Sequence, residues 1–211
     1  MKIVCISDTH GSHWDCQEIP ECDVLIHAGD VSNNGNLNLM FDFFNWFDSR
    51  PATHKIMIAG NHDRCFQTKP DSCKDLLRDF SINYLQDEGI EIDGVKFWGT
   101  PWQPEFCNWA FNLPRGKQIR EKWDLIPDDT DVLITHGPPY SILDSINDGC
   151  PPLGCQDLLE TVVERVNPRV HVFGHIHGGH GEEDRQGTKY INASLLDESY
   201  GVTHTLTEIE I

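Results

Sequence analysis

The sequence has no long apolar run and no extended apolar leader. None of its apolar stretches approaches the ~18 residues that a membrane-spanning helix needs, so we expect no membrane partner. The first apolar stretch already ends at Ser7 and Asp8, before it reaches the ~7 apolar residues of a signal peptide. These two absences predict a cytoplasmic protein.

Basic residues are scarce. The chain has 16 Lys and Arg against 34 Asp and Glu, which gives a formal net charge of −18. Because so acidic a surface repels polyanions, binding to long duplex nucleic acid is not expected. A bound metal ion would still create a local positive site that the net charge does not reveal.

Closely spaced cysteines are also missing. Eight cysteines are present, but none forms the CxxC pair that is typical of a structural zinc site. In a chain of 211 residues without an export signal, reduced thiols are the expectation. Cys5 and Cys155 lie within apolar patterns and are expected in the core, while Cys150 and Cys155 are the one close pair that oxidation could join.

The apolar residues are concentrated in short runs rather than in repeats or low-complexity tracts. We interpret residues 1–211 as a single domain, because that length is usual for one. The runs are rich in β-branched residues and nearly continuous, which is typical of strands buried on both faces of a sheet. They cover residues 3–6, 24–26, 56–59, 132–134 and 170–173.

Helical patterns lie between these runs. Leu37, Met40, Phe44 and Phe47 recur at helical spacing, and the apolar pattern of residues 155–166 predicts a second helix that ends near Asn167-Pro168. Alternation of strands and helices indicates a layered α/β fold. Residues 97–116 are expected to form a long ordered loop, and residues 190–193 and 203–211 closing strands.

Each apolar run is followed by Asp, Asn or His, usually next to Gly. Because ligands bind beyond the carboxyl ends of strands in such sheets, we expect these side chains to share one cleft. Imidazole and carboxylate ligands suit Zn, Mn or Fe, and seven of them suit two ions about 3.5–4 Å apart that share a carboxylate. The residues are Asp8, His10, Asp30, Asn61, His136, His175 and His177.

The alternative is that these polar residues only cap helices and turns. Any one cluster taken alone would suit that interpretation, but five clusters in the same context favour a metal site. Other histidines are expected to be structural: His27 and His171 lie within or beside strands, where packing and hydrogen bonding are the usual roles.

The motifs resemble those of the calcineurin-like metallophosphoesterase superfamily. The resemblance spans residues 8–193, and it is closest to the MPPED-type group, which is similar to class III cyclic nucleotide phosphodiesterases. It implies a four-layer αββα sandwich with two mixed sheets. The motifs are Asp8-x-His10, Gly29-Asp30, Gly60-Asn61-His62-Asp63, His136-Gly137-Pro138-Pro139, Phe111-Asn112-Leu113-Pro114-Arg115-Gly116 and Gly174-His175-x-His177.

The resemblance also implies a division of ligands between two divalent ions. Asp8, His10 and His177 would hold the first metal; Asn61, His136 and His175 would hold the second; and Asp30 would bridge them. Some vertebrate members of the MPPED-type group have glycine at the position of His175, so the histidine here favours a complete site. Mn, Fe, Zn, Ni and Co all accept such ligands, and Mn is the expected activator in vitro.

The activity implied by the resemblance is phosphohydrolysis. A hydroxide that bridges the two metals would attack phosphorus, and His62 would face the leaving group as a general acid or hydrogen-bond donor. Because Asp63 directly follows His62 in the chain, we expect Asp63 to orient the His62 ring. The expected substrates are small phosphodiesters or nucleotides, such as cyclic nucleotides. A phosphomonoesterase, a nuclease and a non-catalytic nucleotide-binding module remain alternatives, and a homodimer is left open.

Three residues of the middle loop are candidates for substrate contacts. Arg115 could bind phosphate through its paired donors, Trp102 could stack on a base, and Asn112 lies between them in the chain. In the alternative interpretation, Trp102 packs the loop and Arg115 begins a helix that leads to Trp123.

Overall fold

The computed structural model describes residues 1–146 and 150–211. The strands of this part of the chain are β1 (Lys2–Ile6), β2 (Cys22–His27), β3 (Ala52–Met57), β4 (Ile82–Tyr84), β5 (Glu88–Ile92), β6 (Val95–Thr100), β7 (Gln103–Pro104), β8 (Asn112–Leu113), β9 (Val132–Thr135), β10 (Val170–Phe173), β11 (Gly181–Arg185), β12 (Thr188–Asn192) and β13 (Thr207–Glu210). The helices are α1 (Leu37–Asp48), α2 (Arg64–Thr68), α3 (Pro70–Leu77), α4 (Lys117–Trp123) and α5 (Gln156–Thr161), which continues as a π-helical turn, Val162–Val166.

Most strands belong to two large mixed sheets. The first has the order β13-β1-β2-β3-β4, in which only β13 is antiparallel to its neighbour. The second has the order β11-β12-β10-β9-β6-β5, with a parallel centre and an antiparallel strand at each edge. The parallel centres explain the continuous apolar runs, since both faces of these strands are buried.

Alternate side chains of the strands define four layers. Ile3 and Ile26 of the first sheet share a buried cluster with Val132 and Val172 of the second, so the two sheets pack face to face. The outer face of the first sheet is covered by α1, whose Met40, Phe43, Phe44 and Phe47 are all fully buried. The outer face of the second sheet packs against Ile119 and Trp123 of α4 and Leu158 of α5. The αββα sandwich is therefore confirmed.

The two predicted helices are present with nearly the predicted limits. The Asn36 side chain caps α1 by accepting hydrogen bonds from the backbone N–H groups of Asn38 and Leu39. The second helix begins after Cys155 and ends at Asn167, whose left-handed φ of 47° stops it one residue before Pro168.

Two predictions about segments need correction. Residues 97–116 are not one loop, because β6 extends to Thr100 and β7 and β8 form a small parallel pair within the segment. The last predicted strand is too long: residues 203–206 lie outside β13, and pairing with β1 begins only at Thr207. In both segments the partner strand decides the pairing, and short sequence runs do not reveal that partner.

The cysteines and the helices were the subject of two expectations from composition. All eight cysteines are free thiols, and Cys5 and Cys155 are buried in the core. Among residues 1–146 and 150–211, no helix has the length and apolar content to cross a membrane.

Candidate metal centre

The seven predicted ligands come together where the carboxyl ends of both sheets meet. Asp8 and His10 follow β1, Asp30 follows β2, and Asn61 follows β3. His136 follows β9 in the second sheet, and His175 and His177 follow β10. Six of them are buried and His175 is partly buried, as expected for side chains that face one another rather than solvent.

Two groups of ligand atoms are joined through His10 and Asp30. In the first group, Asp8 Oδ1 lies 3.5 Å from His177 Nε2 and 3.9 Å from His10 Nε2. In the second, Asp30 Oδ2 lies 3.3 Å from His136 Nε2, and His175 completes a cluster whose ligand atoms are all within 4.8 Å of one another. The same Asp30 oxygen lies 3.7 Å from His10 Nε2. Asp30 therefore faces both groups.

Hydrogen bonds outside these groups orient the ligands. His136 Nδ1 donates to the Ala28 carbonyl and His177 Nδ1 donates to the Asp197 carbonyl, both at 3.0 Å. Because a carbonyl oxygen only accepts, each ring is left with Nε2 directed at the cluster. Asp8 Oδ2 accepts from the Ser194 hydroxyl and the His175 backbone N–H, both at 3.0 Å, so its Oδ1 is the free ligand atom.

Several polar atoms at the centre have no partner within the protein. Asp8 Oδ1 and His10 Nε2 are buried without a hydrogen bond. His136 Nε2 lies 2.9 Å from Asn61 Oδ1, although a neutral ring that donates through Nδ1 presents a lone pair there. Either a protonated ring donates to Asn61 Oδ1, or a bound metal ion takes both atoms as ligands. The donor set therefore fits a divalent cation.

The backbone at the centre is strained in a way that aims the ligands. Asp8, Asp30 and His175 have φ values of 54°, 55° and 69°, in the left-handed region that non-glycine residues rarely adopt. Gly174 allows close approach: a Cβ added there would lie 1.9 Å from Asp8 Oδ2. These conformations occur together at the candidate site, where the surrounding fold must hold them in place.

The ionisation of the centre reflects its crowding. Burial opposes the charge of Asp8, but the nearby His177 ring, 3.5 Å away, holds the pKa of Asp8 well below its ordinary value. Asp30 is likewise buried, and His136 holds its pKa low. Burial opposes the charge of His136 and His177 as well, but their carboxylate partners raise the pKa of each to about 9.

The remaining histidine ligands behave oppositely. Burial lowers the pKa of His10, and burial together with the charge of His136 lowers the pKa of His175 to about 3. The centre thus holds three kinds of ionisable group. Asp8 and Asp30 are ionised, the raised pKa values of His136 and His177 favour charged rings, and the lowered pKa values of His10 and His175 favour neutral rings. Divalent cations there would supply the positive charge that the carboxylates attract and would leave all the imidazoles neutral.

His62 lies at the edge of the centre with its ring held on two sides. Its Nδ1 donates to the Asn33 carbonyl at 2.8 Å, so Nε2 points toward the cluster and lies 4.0 Å from Asp30 Oδ2. The indole of Trp109 stacks on the ring, with 3.9 Å between centroids and 30° between planes. His10 meets it edge to face at 4.8 Å.

Asp63 does not contact the His62 ring, so the expectation that it orients His62 is not met. Its carboxylate instead accepts from the backbone N–H groups of Val31 and Gly60 at 3.1 and 3.0 Å. The backbone N–H and hydroxyl of Ser32 donate to it at 2.9 and 3.0 Å. Burial and the Asp30 charge raise the pKa of Asp63 to about 6. Asp63 therefore ties together the loops that carry Asp30 and Asn61.

The three candidate substrate contacts have different surroundings. Asn112 donates to the Phe106 carbonyl at 2.8 Å, and Trp102 donates to the Asp87 carboxylate at 2.9 Å; neither side chain lines the cleft. Arg115 does line the cleft, but it donates to the carbonyls of Gly154 and Leu153 at 2.9 and 3.0 Å. The hydrogen bonds of Trp102 to Asp87 accord with the alternative interpretation, and α4 begins two residues after Arg115.

A cleft of about 290 Å³ opens over the centre. Its walls include residues that the sequence reasoning missed, chiefly Phe106, Trp109, Glu198 and Tyr200. Phe106 and Trp109 lie within residues 97–116, the segment that was expected to form a long ordered loop. Tyr200 had no sequence signal, because it reaches His10 and His177 from a loop between β12 and β13.

Comparison with known sequences identifies the family of this chain. Residues 1–179 match the family described as Calcineurin-like phosphoesterase. The human Metallophosphoesterase domain-containing protein 1 is 42% identical over 221 residues, which cover 94% of this chain and 67% of that protein. A UPF0046 protein of Caenorhabditis elegans is 39% identical over 228 residues, covering 94% of this chain and 57% of its own length. The chain thus spans little more than half of the worm protein.

Comparison with solved structures supports the same architecture. Protein TT1561 of Thermus thermophilus matches with a TM-score of 0.61 and 12% identity, covering 90% of this chain and 88% of that one. Another crystal structure matches with a TM-score of 0.69 and 16% identity, covering 99% and 98% of the two chains. At such low identity, these likenesses concern the fold alone.

Proposed function

Because this chain belongs to the calcineurin-like phosphoesterase family, we propose that it is a dimetal-dependent phosphohydrolase that prefers small phosphodiesters, such as cyclic nucleotides, to monoesters. The observation that carries the proposal is the set of unpartnered ligand atoms at the centre. Asp8 Oδ1 and both ring nitrogens of His10 are buried without partners. Such atoms are costly to bury unless a cation binds them.

The proposed ligands divide into two sets. Asp8, His10 and His177 would hold one divalent ion, which agrees with their grouping in space. Asn61, His136 and His175 would hold the other, and Asp30 would contribute to both through Oδ2. Nitrogen and oxygen ligands of this kind suit Mn, Fe, Zn, Ni or Co, and we propose Mn as the activator in vitro.

The metals, when bound, would neutralise phosphate oxygens and activate water. The chain itself would assist the leaving group through His62. Since the Asn33 carbonyl accepts from Nδ1, the other ring nitrogen faces the cleft, where a protonated Nε2 can donate to a departing oxygen. Asp63 would act indirectly, by holding the loops of Asp30 and Asn61.

Charge and thiol content support the rest of the proposal. A net charge of −18 disfavours long duplex nucleic acid as a substrate. Free thiols at all eight cysteines support a cytoplasmic location, since reducing compartments keep cysteines unpaired.

The test is hydrolysis by protein that has been stripped with a chelator and then supplied with Mn²⁺. Activity on bis(p-nitrophenyl) phosphate should vanish on stripping and return with metal. The rate on p-nitrophenyl phosphate measured in parallel should be lower; a clear preference for that monoester would refute the diesterase assignment. Asp30→Asn should abolish both activities, because it removes charge from the oxygen shared by the two sites. If metal-loaded protein turns over neither ester but binds nucleotide, the chain is a binding module.

A further inference from the structure

Exposed apolar side chains are concentrated around the mouth of the cleft. Seven large apolar side chains are exposed in the described part of the chain, and four of them line this one cleft. They are Phe106, Ile146, Leu153 and Tyr200. Isolated exposed apolar side chains are normal, so the concentration of these four, here called the apolar rim, around one cleft calls for an explanation.

Cationic side chains are scarce at the same place. Within residues 1–146 and 150–211, Arg115 is the one Lys or Arg that lines the cleft, and two backbone carbonyls already accept from its guanidinium. Glu105 and Glu198 line it as well. The Glu198 carboxylate accepts from the backbone N–H of Gly178 at 2.8 Å, which holds it beside His177.

These two features restrict the charge that a substrate can carry. The metal centre provides for one phosphate group. A second phosphate would face Glu105 and Glu198 without a free cationic side chain, in a protein whose net charge is −18. Like charges within one cleft disfavour binding, and phosphate sites are normally built from Arg and Lys.

We propose that the substrate carries a single phosphate, as a monoanionic diester, together with a bulky apolar or aromatic substituent that lies against Phe106, Ile146, Leu153 and Tyr200. This inference rests on the proposed function and names its substrate class. It excludes nucleoside polyphosphates and phosphorylated polymers. An aromatic base and an alkyl chain share the required chemistry, so the experiment includes both.

Binding of phosphinates tests the apolar rim, because phosphinates carry one negative charge and have no ester bond to hydrolyse. Calorimetry on Mn²⁺-loaded protein would compare dimethylphosphinate, methyl(phenyl)phosphinate and methyl(octyl)phosphinate. Burying roughly 60 Å² of ring surface corresponds to about tenfold in affinity, so the phenyl compound should bind about tenfold more tightly than the dimethyl compound. A larger gain for octyl than for phenyl would identify an alkyl chain as the natural substituent; the reverse would identify an aromatic one.

Two matched variants locate the effect. Phe106→Ser should remove most of the gain for phenyl and leave dimethylphosphinate binding unchanged, since Phe106 is 58% exposed and lies beyond the metal ligands. Phe41→Ser, at a phenylalanine that is 50% exposed on α1 and does not line the cleft, should change neither. Equal affinity for all three phosphinates would overturn the proposal, as would an equal loss in both variants.

Charge selection is tested with a nucleoside ester. The p-nitrophenyl ester of thymidine 5′-phosphate should be hydrolysed at least tenfold more efficiently than the same compound with an added 3′-phosphate. Glu105→Gln should decrease the ratio of the two hydrolysis efficiencies, because it removes one negative charge from the cleft. An unchanged or inverted ratio would refute the charge argument. Failure of every ester and of dimethylphosphinate binding would refute the proposed function itself, which keeps the two failures distinguishable.

Discussion

Substitution of Gly174 by alanine tests whether the orientation of Asp8 controls the first metal site. The added Cβ would lie 1.9 Å from Asp8 Oδ2 and 2.3 Å from Ser7 Oγ, whereas real Cβ atoms almost never come within 3.0 Å of another heavy atom. The Asp8 carboxylate must therefore move by about 1 Å. That movement breaks the hydrogen bonds from Ser194 Oγ and the His175 N–H.

The size of the effect follows from these contacts. A hydrogen bond to a charged group contributes about 1.5–3 kcal/mol, and loss of a partner behind a metal ligand typically weakens metal binding by about 10–100-fold. We expect a decrease of that size in Mn²⁺ affinity for Gly174→Ala. Because a 1 Å misplacement of a reacting group can cost about 10² in rate, activity should fall at least as far.

Calorimetric titration of Mn²⁺ into chelator-stripped protein measures this effect. Gly137→Ala is the matched control, since it also adjoins a proposed histidine ligand, but its added Cβ would meet only Gln103 at 3.5 Å. Ser194→Ala removes one of the two bonds without a clash and should weaken metal binding by about tenfold. Wild-type affinity in both Gly174→Ala and Ser194→Ala would refute the argument.

Three further predictions concern histidines. His62→Ala should retain two metals but lose about 10²–10⁴ in kcat; loss of metal would instead make His62 a ligand. Trp109→Ala should lower kcat more than it raises KM, because the His62 ring loses its stacking partner, and Trp109→Phe should restore most of the rate; no rescue by Phe would contradict a stacking role. Burial lowers the pKa of His171 to about 3 from 6.5, so its contribution to the free energy of unfolding is complete above pH 6.5 and is lost as the pH falls toward 3. Urea denaturation of the metal-free proteins measures this effect. Between pH 7 and pH 5, the free energy of unfolding should fall by about 2 kcal/mol less in His171→Gln than in the wild type. An equal fall in both proteins would show that His171 does not titrate this way.

The predicted metal ligands illustrate why strand ends are informative. Asp8, Asp30, Asn61, His136 and His175 each follow a continuous apolar run, and parallel strands bring their carboxyl ends to one edge. If the strands are parallel, the positions of these residues in the sequence therefore predict that their side chains lie close together in space. That condition follows from the run pattern, since strands buried on both faces need helical connections that return the chain to the same edge.

The incorrect predictions share a different cause. Asp63 follows His62 in the chain, which suggested a link between the two side chains, yet its carboxylate turns toward the N–H groups of Val31 and Gly60. Similarly, β13 is shorter than the closing strand predicted for residues 203–211, because pairing with β1 begins only at Thr207. Sequence neighbours do not specify which distant backbone groups a side chain or strand will meet.

What the sequence determined by itself is the class of fold and the identity of the polar residues at the strand ends, because both depend on local patterns of buried and polar positions. Which residues line the cleft above these strand ends was decided by the tertiary structure alone. Trp109 reaches His62 from the segment between β7 and β8, and Tyr200 reaches His10 from the loop before β13. The Arg115 guanidinium donates hydrogen bonds to the carbonyls of Leu153 and Gly154, which lie 38 and 39 residues away in the chain. Such contacts depend on loop paths over the surface, and those paths follow from packing rather than from periodicity.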